Sequence, residues 1–194
     1  VQTISERKEI TLPPATLARY VGTYELGPRV TVKITLVGNQ LMGQLSGQPK
    51  FPLFAESETL FFLKVVDAQI EFGKDEKGVV TSLILHQGGR DQKAVRTSDK
   101  VEEPKEIAVS PKILAEYAGT YELRPGFDLV VTLEGEQLMT QATGQPKVPV
   151  FAESETKFFL KVVDARVEFV RDQKGVVSQL ILHQGGRDIN GKRK

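Results

Sequence analysis

The chain of 194 residues contains no cysteine. Disulfide frameworks, zinc ribbons, iron–sulfur clusters and thiol nucleophiles are thereby excluded. The compartment is not, since a cysteine-free chain is at home in any of them. Histidine is scarce, with two in all, which is a poor offer to a metal that wants three or four ligands. No metal site and no cofactor are expected. Charge of either sign is not in excess, with 26 Lys and Arg against 25 Asp and Glu. A nucleic-acid binder normally carries a basic patch, so no such partner is expected. The basic cluster Lys192–Arg193–Lys194 reads as a frayed solubilising tail. No apolar run approaches the roughly 18 residues of a membrane-spanning helix, and no secretory leader is recognisable. The chain opens on Val1, which reads as a processed or excised product.

What is there is stated twice. Shifted by 97 residues, the sequence lies on itself without a gap, and about 56 of 90 positions between 8 and 97 are identical. Lys8–Glu9–Ile10 returns as Lys105–Glu106–Ile107, and Tyr20-x-Gly22-Thr-Tyr-Glu-Leu26 as Tyr117-x-Gly119-Thr-Tyr-Glu-Leu123. Solenoid repeats have periods of about 20–50 residues and need three or more units. Two copies of this length therefore mean two domains, 1–97 and 98–194, joined by a polar linker at about 97–104. Each is long enough to bury a core without staples. Exposed-looking Lys50, Glu56 and Lys64 are repeated as faithfully as apolar residues. That fits a recent duplication, so identity between copies does not single out a site.

Each copy opens on a short helix signal. Pro13–Pro14 precede Ala15 to Tyr20, and Ser110–Pro111 precede Lys112 to Tyr117, with Pro suited to the first helical position and Ser110 to the N-cap. Strand and turn follow. Val30, Val32, Ile34 and Leu36 alternate with polar residues, as a half-buried strand does. Gly38–Asn39 and Gly135–Glu136 are hairpin turns. Further strands are expected over 40–46, around Pro52, and over 60–66, 69–74, 79–87 and 90–96. About eight strands in series, joined by tight turns, make an antiparallel meander, and eight strands close into a barrel that removes exposed edges. The fold class expected is all-β: two tandem eight-stranded barrels, each behind a short helix. A single fused sixteen-stranded sheet is the rival.

The pattern Tyr20-x-Gly22-x-Tyr24, Gly38-x-x-Leu41, Phe54–Ala–Glu–Ser–Glu–Thr59, Phe62, Ile70–Glu–Phe72 and Gly78-Val-Val-x-x-Leu83-x-Leu85 resembles the lipocalin-like domain of unknown function 3471 family. The resemblance runs once along each copy. It implies a short lipocalin-type barrel, of the kind that follows a serine β-lactamase-like or penicillin-binding-type hydrolase domain in bacteria and archaea. It also implies an extracytoplasmic accessory role, with a serine hydrolase domain as the partner, and it brings no catalytic residues. That hydrolase's Ser-x-x-Lys nucleophile motif is matched in letters by Ser5–Lys8, ahead of any core element. No Tyr-x-Asn, Ser-x-Asn or Lys-Thr-Gly follows. No enzyme is expected.

Candidate sites are few. His86 with Arg90 and Asp91, and His183 with Arg187 and Asp188, form a possible polar rim cluster. A catalytic dyad would also need a nucleophile, and none is fixed nearby. Glu56 and Glu58, with Glu153 and Glu155, stand two apart, as acid–base carboxylates on a glycoside would, but adjacent glutamates at a turn are commoner. Asp67 and Asp164 read as turn residues. If Met42, Gln44, Phe62 and Phe72, with Met139, Gln141, Phe159 and Phe169, point inward, they line a pocket for a small apolar or amphipathic ligand. A side-chain-filled interior is the default for so short a barrel.

Overall fold

The computed structural model describes residues 7–194. Ser5 and Glu6 of the Ser-x-x-Lys match lie outside the described residues. The chain divides into two compact units, Val1–Glu102 and Glu103–Lys194.

In the first unit an extended strap, residues 9–13, leads into helix α1 (Pro14–Ala18), whose proline supplies the pre-set φ of a first turn. Eight strands follow: β1 (Gly22–Gly27), β2 (Val30–Val37), β3 (Gln40–Leu45), β4 (Phe51–Ala55), β5 (Leu60–Phe62), β6 (Ala68–Lys74), β7 (Val80–Gln87) and β8 (Arg90–Ser98). They form a closed antiparallel barrel in sequence order. Closure comes from β1 pairing with β8, with Tyr24 opposite Arg96. Val32 and Ile34 of β2 are buried while the residues between them are not, as the period-2 pattern requires. At the β6–β7 turn the Asp75 carboxylate accepts from the N–H groups of Lys77 and Val79, both at 2.9 Å, and Gly78 takes φ 76°, a value glycine reaches without strain. The strand expected over 60–66 stops at Phe62. Leu63 N–H donates to Ala68 O and Ala68 N–H to Val66 O, so Lys64 to Asp67 turn the chain back.

The second unit repeats this plan: α2 (Pro111–Tyr117), β9 (Gly119–Arg124), β10 (Phe127–Glu134), β11 (Gln137–Ala142), β12 (Val148–Pro149), β13 (Phe151–Ala152), β14 (Lys157–Phe159), β15 (Ala165–Arg171), β16 (Val177–Gln184) and β17 (Arg187–Arg193). Ser110 caps α2, its hydroxyl accepting from Lys112 N–H. The sheet runs β12-β11-β10-β9-β17-β16-β15-β14-β13. Its two end strands are consecutive in the chain and stand for β4 of the first unit. Val150 lies between them and donates its N–H to Leu138 O at 3.0 Å, so the sheet comes round to itself. Each unit keeps its own sheet, which disposes of the fused sixteen-stranded alternative.

The basic C-terminus is not a frayed tail. Lys192 and Arg193 pair with Glu122 and Tyr121 of β9, and Lys194 N–H donates to Thr120 O. Arg193 is held because its guanidinium donates to the carbonyls of Val177 and Ala118 and lies over the Tyr121 ring. Arg96 does the same in the first unit, donating to Val80 and Val21 over Tyr24. Gly22 makes this possible: a Cβ there would sit 2.4 Å from Ser98 O and 2.8 Å from Arg96 Nε.

Candidate functional site

Four tyrosines and four phenylalanines fill the barrel interiors. Tyr20, which follows α1, is fully buried and stacks on Phe72 at 4.4 Å, with Phe61 edge-on at 5.4 Å. Tyr117 stacks on Phe169 at 4.2 Å, with Phe158 edge-on at 5.6 Å. The hydroxyls are satisfied locally: Tyr20 donates to Glu58 O, Tyr24 to Tyr20 O, Tyr117 to Glu155 O and Tyr121 to Tyr117 O. Burial raises all four phenols, Tyr24 to about 12, because the phenolate would lose its water. The Tyr-x-Gly-x-Tyr motif is thus a plug and a clamp.

This plug bears on the residues singled out for a pocket. Phe72 and Phe169 belong to the packed core. Strand alternation puts Met42 and Gln44 on the face opposite buried Leu41, and Gln44 is nevertheless buried there while Met42 is half-buried. Gln44 donates to the backbone of Gln48 and Gln141 to that of Gln145. Met139 shares the outer face with Gln141, which is exposed. Phe62 and Phe159 are buried but pack against Phe54 and Phe151 at 5.8 Å, outside the core clusters.

A cleft lies elsewhere. In each unit it opens between the strap and the start of the third strand. The first holds about 350 Å³ and the second about 180 Å³. One wall is the strap, Glu9–Pro14, anchored where Ile10 N–H donates to Ala55 O at 2.8 Å. The opposite wall is Asn39, Gln40 and Leu41, and the floor is Leu17, Leu53 and Phe61. Gln40 Nε2 donates to the carbonyls of Leu41 and Leu53. At the mouth Lys64 Nζ pairs with Glu9 at 2.7 Å and sits 3.7 Å over the Phe54 ring. The second cleft repeats these contacts, with Ile107 to Ala152 O, Gln137 to Leu138 and Val150, and Lys161 to Glu106 over Phe151, while Glu136 takes the place of Asn39 on its wall. Sequence reasoning missed it, although the faithful return of Lys-Glu-Ile ahead of each helix was its trace.

The histidines are placed on the outer face. His86 Nδ1 meets Asp91 Oδ1 at 2.7 Å, and Nε2 meets Glu71 Oε2 at 3.4 Å. His183 meets Asp188 and Glu168 at 2.6 and 3.2 Å. The bond to Asp91 holds the His86 pKa above the ordinary imidazole value. Glu71 and Glu168 were missed, though they share strand parity with Gln69 and Arg166, which face the histidines. Arg90 and Arg187 stand exposed past the Gly-Gly turns and make no bond to the histidines. The carboxylates lie on opposite sides of each ring, so His, Asp and Glu do not converge on one point. Among the described residues no group of three such side chains is placed to hold a metal ion.

The glutamate pairs are engaged in different ways. Glu56 accepts from Gln69 and lies 3.6 Å from Arg7, Glu58 is bound to Lys74, and Glu153 accepts from Arg166. The hydrogen bond from Lys74 holds Glu58 below the usual carboxylate range, the opposite of what a general acid needs. Asp67 pairs with Arg7.

The profile of the family described as Domain of unknown function (DUF3471) matches residues 6–98 and again residues 103–193. The chain belongs to that family, in two tandem copies. It is also similar to Penicillin-binding protein 4* of Bacillus subtilis, 33% identical over 93 residues. That match takes in 48% of this chain and only 20% of the relative. Among the described residues no helix is long and apolar enough to cross a membrane.

Proposed function

We propose that the tandem is a non-catalytic accessory module of an exported serine hydrolase of the penicillin-binding type, packing on that enzyme or shaping access to its active site. The observation that carries this reading is the match to one fifth of Penicillin-binding protein 4*: the shared part is a domain within a larger protein whose name states penicillin binding. An extracytoplasmic setting is part of the same proposal, and the likeness to a penicillin-binding protein supports it.

The surroundings of the histidines and glutamates support the same reading. The histidines are clasped by carboxylates on both ring nitrogens, which leaves neither nitrogen open to take a proton from a nucleophile. A general base must be within hydrogen-bond reach of the proton it abstracts. Glu58 is ion-paired and ionised, so the glycosidase arrangement lacks its acid.

The test is kinetic. The chain alone, offered a chromogenic β-lactam and an acyl ester, is expected to give no turnover above buffer. A penicillin-binding-type serine hydrolase joined to the tandem, assayed with and without it, is expected to differ in kcat/KM. Saturable turnover by the chain alone, abolished by one substitution in it, overturns the proposal.

A further inference from the structure

We propose that Asn190–Gly191 in β17 is a self-modification site: the pair deamidates whenever β17 peels from the sheet, and the product keeps the second barrel from closing again. The proposal concerns the second unit by itself and does not depend on an attached hydrolase.

The chemistry needs only this chain and water. Gly191 N attacks Asn190 Cγ, the side-chain nitrogen leaves as ammonia, and a five-membered succinimide forms. Water then opens the ring. Attack at the former side-chain carbonyl leaves an aspartate, and attack at the main-chain carbonyl leaves an isoaspartate. A following glycine hinders the first step least, because it has no Cβ to shield its nitrogen. The chain holds two asparagines, and the other, Asn39, precedes Gln40. The first unit has Lys93–Ala94 at the matching place, so the reaction belongs to the second unit alone.

The fold gates it. Asn190 is exposed and Gly191 buried, so water reaches the amide while the attacking nitrogen is held in extended backbone. Ring closure needs Asn190 to rotate about ψ until Gly191 N comes under its side chain. Pairing of Asn190 with Ile181 and of Gly191 with Leu180 forbids that turn. On the other flank β9 pairs with Lys192 and Arg193, so ladder pairing holds the two residues on the β16 side only. Next to them Arg193 pins the strand through the carbonyls of Val177 and Ala118. Local opening of an outlying strand costs less than global unfolding, and each opening exposes the pair to reaction.

The product does not fit back. A Cβ on Gly191 would lie 2.8 Å from Leu123 Cδ2 and 3.2 Å from Leu180 Cδ1. The extra main-chain carbon of an isoaspartate pushes Gly191 into that space and shifts Lys192 and Arg193 out of register with β9. Either product also adds a carboxylate on the face of Asp188, two residues away, and of Glu168, which aligns with Asn190 through Ile181. Like charges so placed destabilise a sheet.

The experiment is time-resolved peptide mapping of the full chain in mildly alkaline buffer, folded and in urea, with isoaspartate read by fragmentation. Conversion at position 190 is expected in both, at least about tenfold slower in the folded chain, since only the open fraction reacts. Arg193→Gln is expected to raise the folded rate about three- to tenfold, the population change that a lost hydrogen bond brings. Should that variant fail to fold, a urea series below the unfolding midpoint asks the same question, with the rate expected to climb with urea. In the converted chain, deuterium exchange is expected to accelerate at β9 and β17 and stay unchanged in the first unit. Asn190→Lys, which installs the first unit's residue, is expected to keep its exchange pattern through the same incubation. Equal rates folded and unfolded overturn the proposal, as does a folded chain that never converts. So does a rate indifferent to Arg193→Gln and to urea, or a converted chain that keeps β9 and β17 protected.

Discussion

Tyr24 donates its hydroxyl to the backbone oxygen of Tyr20, 2.8 Å away, and Tyr121 does the same to Tyr117. Four residues apart in sequence, the two rings tie the end of the helical turn to the first strand. Tyr24→Phe leaves a buried carbonyl without its partner, and the cost of such a loss is about 1–2 kcal/mol. The expected outcome is a lower urea midpoint for the first unit with an unchanged m-value, and Tyr121→Phe is expected to do the same to the second.

Alkaline titration reads the same clamp. The folded pKa of Tyr24 is about 12, against about 10 in an unfolded chain. A folded pKa above the unfolded one means that the native state binds the proton more tightly. The stabilisation is fully present below about pH 10 and is lost as pH rises towards 12. Phenolate absorbance at alkaline pH is therefore expected to lag that of free tyrosine and then rise together with the loss of β-sheet circular dichroism. A phenolate signal that climbs at pH 10 while the fold persists contradicts the buried hydroxyl.

His86 titrates in the opposite sense to a carboxylate partner. Its pKa is raised, first by the bond to Asp91. The stabilisation it supplies is present below the unfolded value near 6.5 and fades as pH rises through the folded value. Asp91→Asn is expected to lower the His86 pKa in an NMR titration of its ring proton, and to flatten the fall in stability across that window.

Gly22→Ala and Gly119→Ala separate backbone from side-chain crowding. The new Cβ at 22 meets the Ser98 carbonyl at 2.4 Å, whereas at 119 the nearest atom is Arg193 Nε at 2.9 Å. A guanidinium can shift and a paired strand cannot. The first substitution is expected to cost about 2–3 kcal/mol, the upper part of the overpacking range, and the second distinctly less by thermal unfolding.

A fragment of residues 1–102 is expected to fold alone, with a cooperative melt. Its barrel closes on its own first and last strands and its core cluster lies wholly within it. Failure of that fragment to fold, while the full chain does, would show that the barrels depend on one another.

The sequence made the repeat, the strands and the turns legible because each is written in local terms. Alternation over 30–36 buries Val32 and Ile34, and Gly38 and Gly78 take the positive φ that their turns need. What it left dark is set by register between distant strands. The His86–Glu71 contact depends on β6 and β7 sliding into one alignment. The fate of the last lysine and arginine depends on β17 finding β9. The cleft was hardest to read, because its walls come from the strap, β3 and β4, and its polar residues look like ordinary surface until the strap is in place.

Barrel closure also sets a clock. The bond from Arg96 to Val21 O spans 75 residues, and the seam it helps to lock joins the two extremes of each repeat. Hairpins form early, since they ask little of chain entropy. The ring must wait for its most distant partners to meet, and contacts of that separation put all-β barrels on the millisecond-to-second scale. A repeat short of its last strand lacks the partner that β1 pairs with, so the ring has nothing to close on until the whole repeat is present.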